Sequence, residues 1–371
     1  MGKRRFIAER VASIGESGIR RVFDLGLKLK DPIDLSIGQP DFPVPDTVKR
    51  AMIRAIESDR NGYTVTRGIP ELRQRIARQL KGEFNLEPDL LVTSGVSGGL
   101  FLAMLACIDS GDEVLIGDPY FVSYKHLVRL AGGVPVTVNL YDDFQLHPER
   151  FAAALTPKTK LIIVGSPGNP TGVVFGREEI KALAELAEKH DLLILCDEIY
   201  NQLSYDGAVP SAFACAPQRT ILLRGFGKSH AMTGLRIGYA AGPTEIIAEM
   251  AKLQQYTYVC APQPTQHAAL EAMDTETSGR VAEYRGKRDL ICNLLKGVVD
   301  FVRPSGGFYV FPKAPSRFKS ASEFVNAAIE KNLLIIPGIV FSEKDTHFRI
   351  SYAAADHKIR RGCEIIRELA G

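Results

Sequence analysis

Five short apolar runs recur through the middle of the chain: EVLIGDP at 113–119, VPVTVNL at 134–140, LIIVGSP at 161–167, LLILCDE at 192–198 and TILLRGF at 220–226. Each has the length and apolar content of a buried strand. Longer stretches of helical spacing separate them. In REEIKALAELAEKH, 177–190, Ile180, Leu183, Ala184 and Ala187 fall at i, i+3, i+4 and i+7 on one helix face. Acidic residues come early in that stretch and Lys189 and His190 come late, as the helix dipole favours. The alternation of strand and helix predicts crossover connections and a mostly parallel sheet covered by helices on both faces, an α/β fold. Ligands in such a fold belong at the carboxyl ends of the strands.

The two ends of the chain read differently. Residues 1–45 show little periodic structure and finish in IGQPDFPVPD, a Pro-rich connector that cannot be a helix interior. They are expected to form an arm and hinge that also contribute to a smaller domain. From about residue 280, RVAEYRGKRDLICNLLKGV predicts a long amphipathic helix, GGFYVFP a strand, and SASEFVNAAIEKN a helix that Ser320 or Ser322 would cap. The expected organisation is therefore an arm over 1–45, a large domain over 46–279 and a small α+β domain over 280–371.

Composition narrows the function classes. With 371 residues, 45% hydrophobic and 24% charged, the chain is too large for a disulfide-stapled scaffold and too apolar for a disordered one. Its formal charge is only +3 and its basic residues are interspersed with acidic ones, which argues against nucleic acid as a partner. Cys107, Cys196, Cys215, Cys260, Cys292 and Cys363 form no C-x-x-C pair, so neither a zinc site nor a dithiol is expected, and no metal is assigned. No segment approaches the roughly 18 apolar residues of a membrane span, and a cytoplasmic protein is the expectation.

Candidate chemistry gathers at the predicted strand ends. FGKS at 226–229 resembles the end of a phosphate-binding P-loop, but Leu222 stands where that loop needs glycine, and GFGKSH breaks the dinucleotide-binding glycine pattern at its last position. LLVTSGVSGGLFLAMLAC, 90–107, runs from a strand through glycines into a helix whose first N–H groups, near Ser97, suit an anion; a tight turn without a ligand is the alternative. Asn169 in SPGNPTG either donates to a ligand or stabilises its turn. Asp197 in CDEIY is either a site acid, with Tyr200 on the same side, or a helix cap. Lys228 and Arg236 are either surface charges or partly buried cations that need partners. One ligand would account for all of them together.

In these residues the sequence resembles the class I aminotransferases, pyridoxal-phosphate enzymes of fold type I. Y-x-x-x-x-G-I-P-E-L-R at 63–73, PGNPTG, DEIY, GKSHAMTGLRIGY and RISYA stand in that family's order over nearly the whole chain. The resemblance implies a seven-stranded, mostly parallel sheet in the large domain and pyridoxal 5'-phosphate as cofactor. It implies that Lys228 forms the Schiff base and moves the proton, that Asp197 pairs with the pyridine nitrogen, and that Asn169 and Tyr200 bond the ring oxygen. Phe121 matches the aromatic that stacks on the ring, and Val96, Ser97 and Arg236 match the phosphate site. Tyr63 matches a residue that reaches the phosphate of a neighbouring subunit, which implies a homodimer with shared active sites. Arg349 matches the clamp for the substrate α-carboxylate, and Gly38 the glycine that lets the backbone approach the substrate.

The implied activity is ping-pong transfer of an amino group from an L-amino acid to a 2-oxo acid such as 2-oxoglutarate. A lyase of the same fold, expelling a β-substituent or cleaving a C–S bond, is the alternative. A DNA-binding regulator of this fold would need a further basic domain, for which the 45 residues before the large domain leave no room. Ser97 stands where some aspartate enzymes of this type carry a lysine for a second carboxylate, so a dicarboxylate preference is not implied; Arg67 either substitutes for that lysine or is solvated. Gly225 stands where many relatives have a phosphate-binding serine, and Phe121 where several have tryptophan.

Overall fold

The computed structural model describes residues 6–12, 14–15, 18–27 and 29–371. A short strand β1 (Ile33–Asp34) follows the arm, and seven strands then build the central sheet: β2 (Asp89–Thr93), β3 (Glu113–Asp118), β4 (Val134–Asn139), β5 (Thr159–Gly165), β6 (Leu193–Asp197), β7 (Thr220–Gly225) and β8 (Gly238–Gly242). Their order across the sheet is β2-β8-β7-β6-β5-β3-β4. All neighbours are parallel except at β8, which runs antiparallel to both β2 and β7. The five runs read from hydrophobicity are β3 to β7, each within two residues of its expected start, and the fold is the expected α/β arrangement.

The β8 strand carries no periodic signal, because GYAAG offers small residues where alternation would need large ones. Its smallness is a packing requirement. A Cβ at Gly238 would lie 2.9 Å from the Arg224 carbonyl oxygen and 3.0 Å from both the Gly95 carbonyl carbon and the Val96 nitrogen, so only glycine lets this strand slide under the start of the helix Gly95–Cys107.

One face of the sheet packs through Leu91, Ile116, Ile163, Leu195 and Leu223 against the helices Gly95–Cys107, Ser123–Leu130 and Thr244–Thr257. The other packs through Val92, Leu115, Ile162, Ile194 and Leu222 against Pro70–Phe84, Arg177–Lys189 and Gln263–Ala272. Strand residues alternate strictly between these two cores.

The C-terminal part has its own core. The strands β9 (Tyr309–Val310), β10 (Leu333–Leu334), β11 (Ile336–Pro337) and β12 (Phe348–Ser351) lie among the helices Ser278–Leu295, Ala321–Glu330 and Asp356–Ala370. β12 pairs antiparallel with β9 and β11, and β10 pairs parallel with β1. Ser320 is the helix cap, its hydroxyl accepting from the Glu323 N–H at 3.1 Å, and Ser322 lies inside the helix. The strand expected over GGFYVFP is only the two residues of β9. The arm holds more structure than its sequence pattern suggests: Gly18–Gly26 is helical and Val22 joins the core around Ile336 and Phe341. So short a helix, bounded by glycines, is held by tertiary packing rather than by local preference. Among the described residues no helix is long and apolar enough to cross a membrane.

Candidate active site

The ends of β5, β6 and β7 and the start of the helix Gly95–Cys107 surround a cavity of about 310 Å³, closed from the other side by residues of the arm and of β9 and β12. Of the residues singled out in the sequence, Gly38, Val96, Ser97, Phe121, Asn169, Asp197, Tyr200, Lys228, Arg236 and Arg349 all line it. Tyr63 does not. It is 85% exposed on the chain surface.

Asp197 closes β6 and is 5% exposed. Its Oδ2 accepts from the Tyr124 hydroxyl at 2.9 Å and its Oδ1 from the Ile199 N–H at 3.3 Å. Burial pushes its carboxyl up to about 6, against the opposing pull of these hydrogen bonds and of the Lys228 charge. Lys228 sits in the loop after β7, with Nζ 5.8 Å and 5.9 Å from the Tyr200 and Phe308 ring centres. Nζ donates to the Gly38 carbonyl at 2.6 Å. Burial, followed by the nearby positive charges of Arg349 and Arg236, lowers the amine to about 8. Both groups thus titrate close to neutrality, which is where proton-transfer groups are useful.

Arg349, in β12, is 1% exposed yet pairs with no carboxylate among the described residues. Its Nη1 donates to Asn169 Oδ1 at 3.0 Å and its Nη2 to the Ser36 carbonyl at 2.6 Å. The guanidinium lies 4.4 Å from the Tyr309 ring centre and 4.7 Å from that of Phe341, and Nε has no partner. A buried cation so held, with a donor unspent, is prepared for an anion. Tyr200 donates to or accepts from Tyr309 across 3.1 Å, both hydroxyls buried.

Across the cavity, Gly95, Val96 and Ser97 form the first turn of a 13-residue helix whose Ser94 cap makes no side-chain hydrogen bond, leaving first-turn N–H groups without an acceptor. Arg236 lies beside them: a Cβ at Gly95, where φ is +69°, would stand 2.8 Å from its Nη2. Phe121 packs edge-on to Tyr124 with ring centres 5.6 Å apart. The residues missed by sequence reading are Tyr124, Tyr309 and Ser36. Tyr124 follows Phe121 by one helical turn within the same DPYFVSY segment, a spacing that would have found it, whereas Ser36 acts through its carbonyl and leaves no signal in side-chain type. Arg67 is tied to Asp89 at 2.8 Å, both side chains about 30% exposed, and it does not line the cavity. Gly225 has β8 against it, since a Cβ there would lie 3.1 Å from the Ile237 carbonyl oxygen.

Residues 30–366 match the family model for aminotransferase class I and II. A probable aspartate aminotransferase of Methanocaldococcus jannaschii is 39% identical, over 98% of this chain and 99% of that one. The aspartate/prephenate aminotransferase of Thermus thermophilus is 37% identical over 99% of each chain. The aspartate aminotransferase of Thermus thermophilus solved with maleate superposes with a TM-score of 0.95 at 36% identity, covering 99% of this chain and all of that one. That of Rhizobium meliloti gives 0.92 at 31%, covering 99% of both. With the same fold, full-length similarity and a matching family model, this chain belongs to the class I and II aminotransferases.

Proposed function

We propose that the 310 Å³ cavity holds pyridoxal 5'-phosphate and that the chain transfers the amino group of an L-amino acid to a 2-oxo acid, 2-oxoglutarate being the expected acceptor. The observation that carries this reading is the co-location, in one cavity, of a lysine amine lowered to about 8, a buried carboxylate, the buried Arg349 guanidinium with its Nε unpartnered, and the Arg236 guanidinium. The donor set fits that cofactor. Lys228 suits its carbonyl carbon, Asp197 its ring nitrogen, Asn169 and Tyr200 its ring oxygen, and Phe121 its face. The uncapped N–H groups at Val96 and Ser97, with Arg236, suit its phosphate. Arg349 is left for the substrate α-carboxylate.

When bound, pyridoxal 5'-phosphate supplies the electron sink that makes the substrate α-hydrogen acidic. The chain supplies the rest. Arg349 fixes the substrate by two parallel charged hydrogen bonds, its plane set by the Tyr309 and Phe341 rings and by Asn169. Lys228 Nζ, with a substantial neutral fraction near pH 8, takes the proton from the α-carbon. Asp197, held by Tyr124, keeps negative charge where a protonated ring nitrogen needs it. Gly38 leaves room at the cavity mouth, since a Cβ would meet the Tyr309 hydroxyl at 2.5 Å, and the segment around it excludes water from the bound substrate.

The exposure of Tyr63 supports a homodimer in which it faces the site of a second copy. Six free thiols fit a reducing cytoplasm. The division at about residues 45 and 279 is supported by the core that Leu35 and Phe42 share with Tyr284, Phe324 and Ile366, into which Tyr200, Leu203 and Tyr205 of the large domain also pack. Product analysis tests the activity: equal amounts of glutamate formed and donor consumed, with 2-oxoglutarate present, are expected. Ammonia and pyruvate appearing without an acceptor would instead establish the lyase reading, which no observation here favours.

A further inference from the structure

Asp197 and Lys228 reach the cavity from neighbouring strand ends, and strand alternation sends the adjoining residues to the far face of the sheet. Cys196 and Leu222 pack in the core on that face, and Glu198 and Arg224 follow them. Arg224 Nε donates to Glu198 Oε2 at 2.9 Å, and its Nη1 and Nη2 donate to the two oxygens of Glu83 at 2.6 and 2.8 Å. The guanidinium lies 5.2 Å from the Phe84 ring centre, and the Arg224 and Glu198 side chains are each 3% exposed. The backbone repeats the tie, the Glu198 N–H donating to the Leu223 carbonyl at 2.9 Å. One guanidinium therefore joins the end of the helix Pro70–Phe84, the residue after Asp197, and the strand that ends just before the Lys228 loop.

A buried ion pair contributes little net stability compared with apolar groups of the same shape, so stability is a weak reason for one here. Its location is more informative. Asp197 is in register with Leu223, the residue before Arg224, so the pair lies directly behind the strand ends that carry the two central groups of the site.

We propose that Arg224 and Glu198 are positioning residues for the transfer reaction: from the far face of the sheet they hold the ends of β6 and β7 together, keep Asp197 and Lys228 aimed into one cavity, and set the charge behind it. This rests on the reading of the cavity given above. The groups that face Arg224 are Glu198, Glu83 and Tyr239 of β8; those that face Glu198 are Arg224 and Ser211; Asp197 is met by Tyr124 and by the charges of Lys228 and Glu198. Removing the positive charge raises the proton affinity of every group in range, removing Glu198 lowers it, and removing both largely restores it.

The test uses the full chain loaded with pyridoxal 5'-phosphate, as wild type, Arg224→Met, Glu198→Gln and the double variant, and follows the visible absorbance band against pH beside kcat, KM and thermal midpoint. Arg224→Met is expected to raise the pH midpoint of the band by roughly half a unit or more, Glu198→Gln to lower it by a similar amount, and the double variant to return it close to wild type. At pH 7.5 Arg224→Met should lower kcat about tenfold with KM changed less than about threefold, since misplaced groups slow chemistry more than binding. Should Arg224→Met fail to fold, Glu198→Gln and the double variant decide by the same midpoints. Unmoved midpoints and unchanged kcat, with only the thermal midpoint lowered, would overturn the inference and leave the pair a filler of space. A wild type that develops no visible band with the cofactor would strike at the reading of the cavity instead.

Discussion

The Asp197 carboxyl is 5% exposed, and burial holds it at about 6 against an ordinary 3.8. A carboxyl raised in the folded state keeps a proton that the unfolded chain has released, so stability falls as pH climbs from 3.8 to about 6 and stays at the lower level above that. At about 1.4 kcal/mol per pH unit, the charge costs the cofactor-free protein about 3 kcal/mol at pH 7.5. Asparagine in its place carries no charge; its one amide oxygen can still accept from the Ile199 N–H, and its Nδ2 then donates to the Tyr124 hydroxyl, which can turn to accept. Asp197→Asn, free of cofactor, is therefore expected to be about 1 to 3 kcal/mol more stable than the parent at pH 7.5, with the gap narrowing by about 2 kcal/mol on going to pH 4.5. The same variant should lose at least about a hundredfold in kcat if Asp197, as proposed, is the carboxylate that pairs with the cofactor ring nitrogen. Urea denaturation from pH 4.5 to 8, compared at equal m values, measures the gap. A variant less stable than the parent at pH 7.5, or a gap that does not change with pH, would refute the reasoning.

Three other substitutions probe the site from different sides. Arg349→Lys replaces a planar fork with a point charge and should lower kcat/KM for the amino donor by about a hundredfold or more, mostly through KM, in steady-state assays; an unchanged KM would remove Arg349 from the substrate site. Gly95→Ala puts a methyl group against the Arg236 guanidinium at a φ of +69°, and should weaken pyridoxal 5'-phosphate binding at least about tenfold in a fluorescence titration, while a wild-type affinity would move the phosphate elsewhere. Arg67→Ala, which breaks an ion pair with Asp89 outside the cavity, should leave the ratio of rates with aspartate and with an uncharged donor within about twofold; a selective loss with aspartate would give Arg67 a substrate role.

The legible parts of the molecule were those where one residue type does one job in sequence order. The strands β3 to β7 announce themselves because both faces of a parallel strand are buried and the runs are continuously apolar. The places of Asn169, Asp197, Tyr200 and Lys228 read out because they lie at or within a few residues of the ends of β5, β6 and β7, whereas Arg236 is found by its position just before β8. What stayed hidden depends on tertiary approach. β8 is built of residues too small to pattern, chosen by a 3.0 Å clearance to the neighbouring helix. The helix Gly18–Gly26 is short and bounded by glycines, so weak local preference hides it. The Glu83–Arg224–Glu198 cluster draws on residues 141 and 26 positions apart, a pairing no local spacing reports. Tyr63 stands away from the other residues it was grouped with, because a single chain brings it to the surface.

The central claim is that the Lys228 amine carries the cofactor at the edge of the Asp197 site. Treating the cofactor-loaded protein with sodium borohydride, digesting it and mapping the added mass tests this directly. The mass of reduced pyridoxal phosphate is expected on the peptide containing Lys228, and on no other lysine. Attachment at a different lysine, or a protein that transfers amino groups while no lysine retains the cofactor, would contradict it.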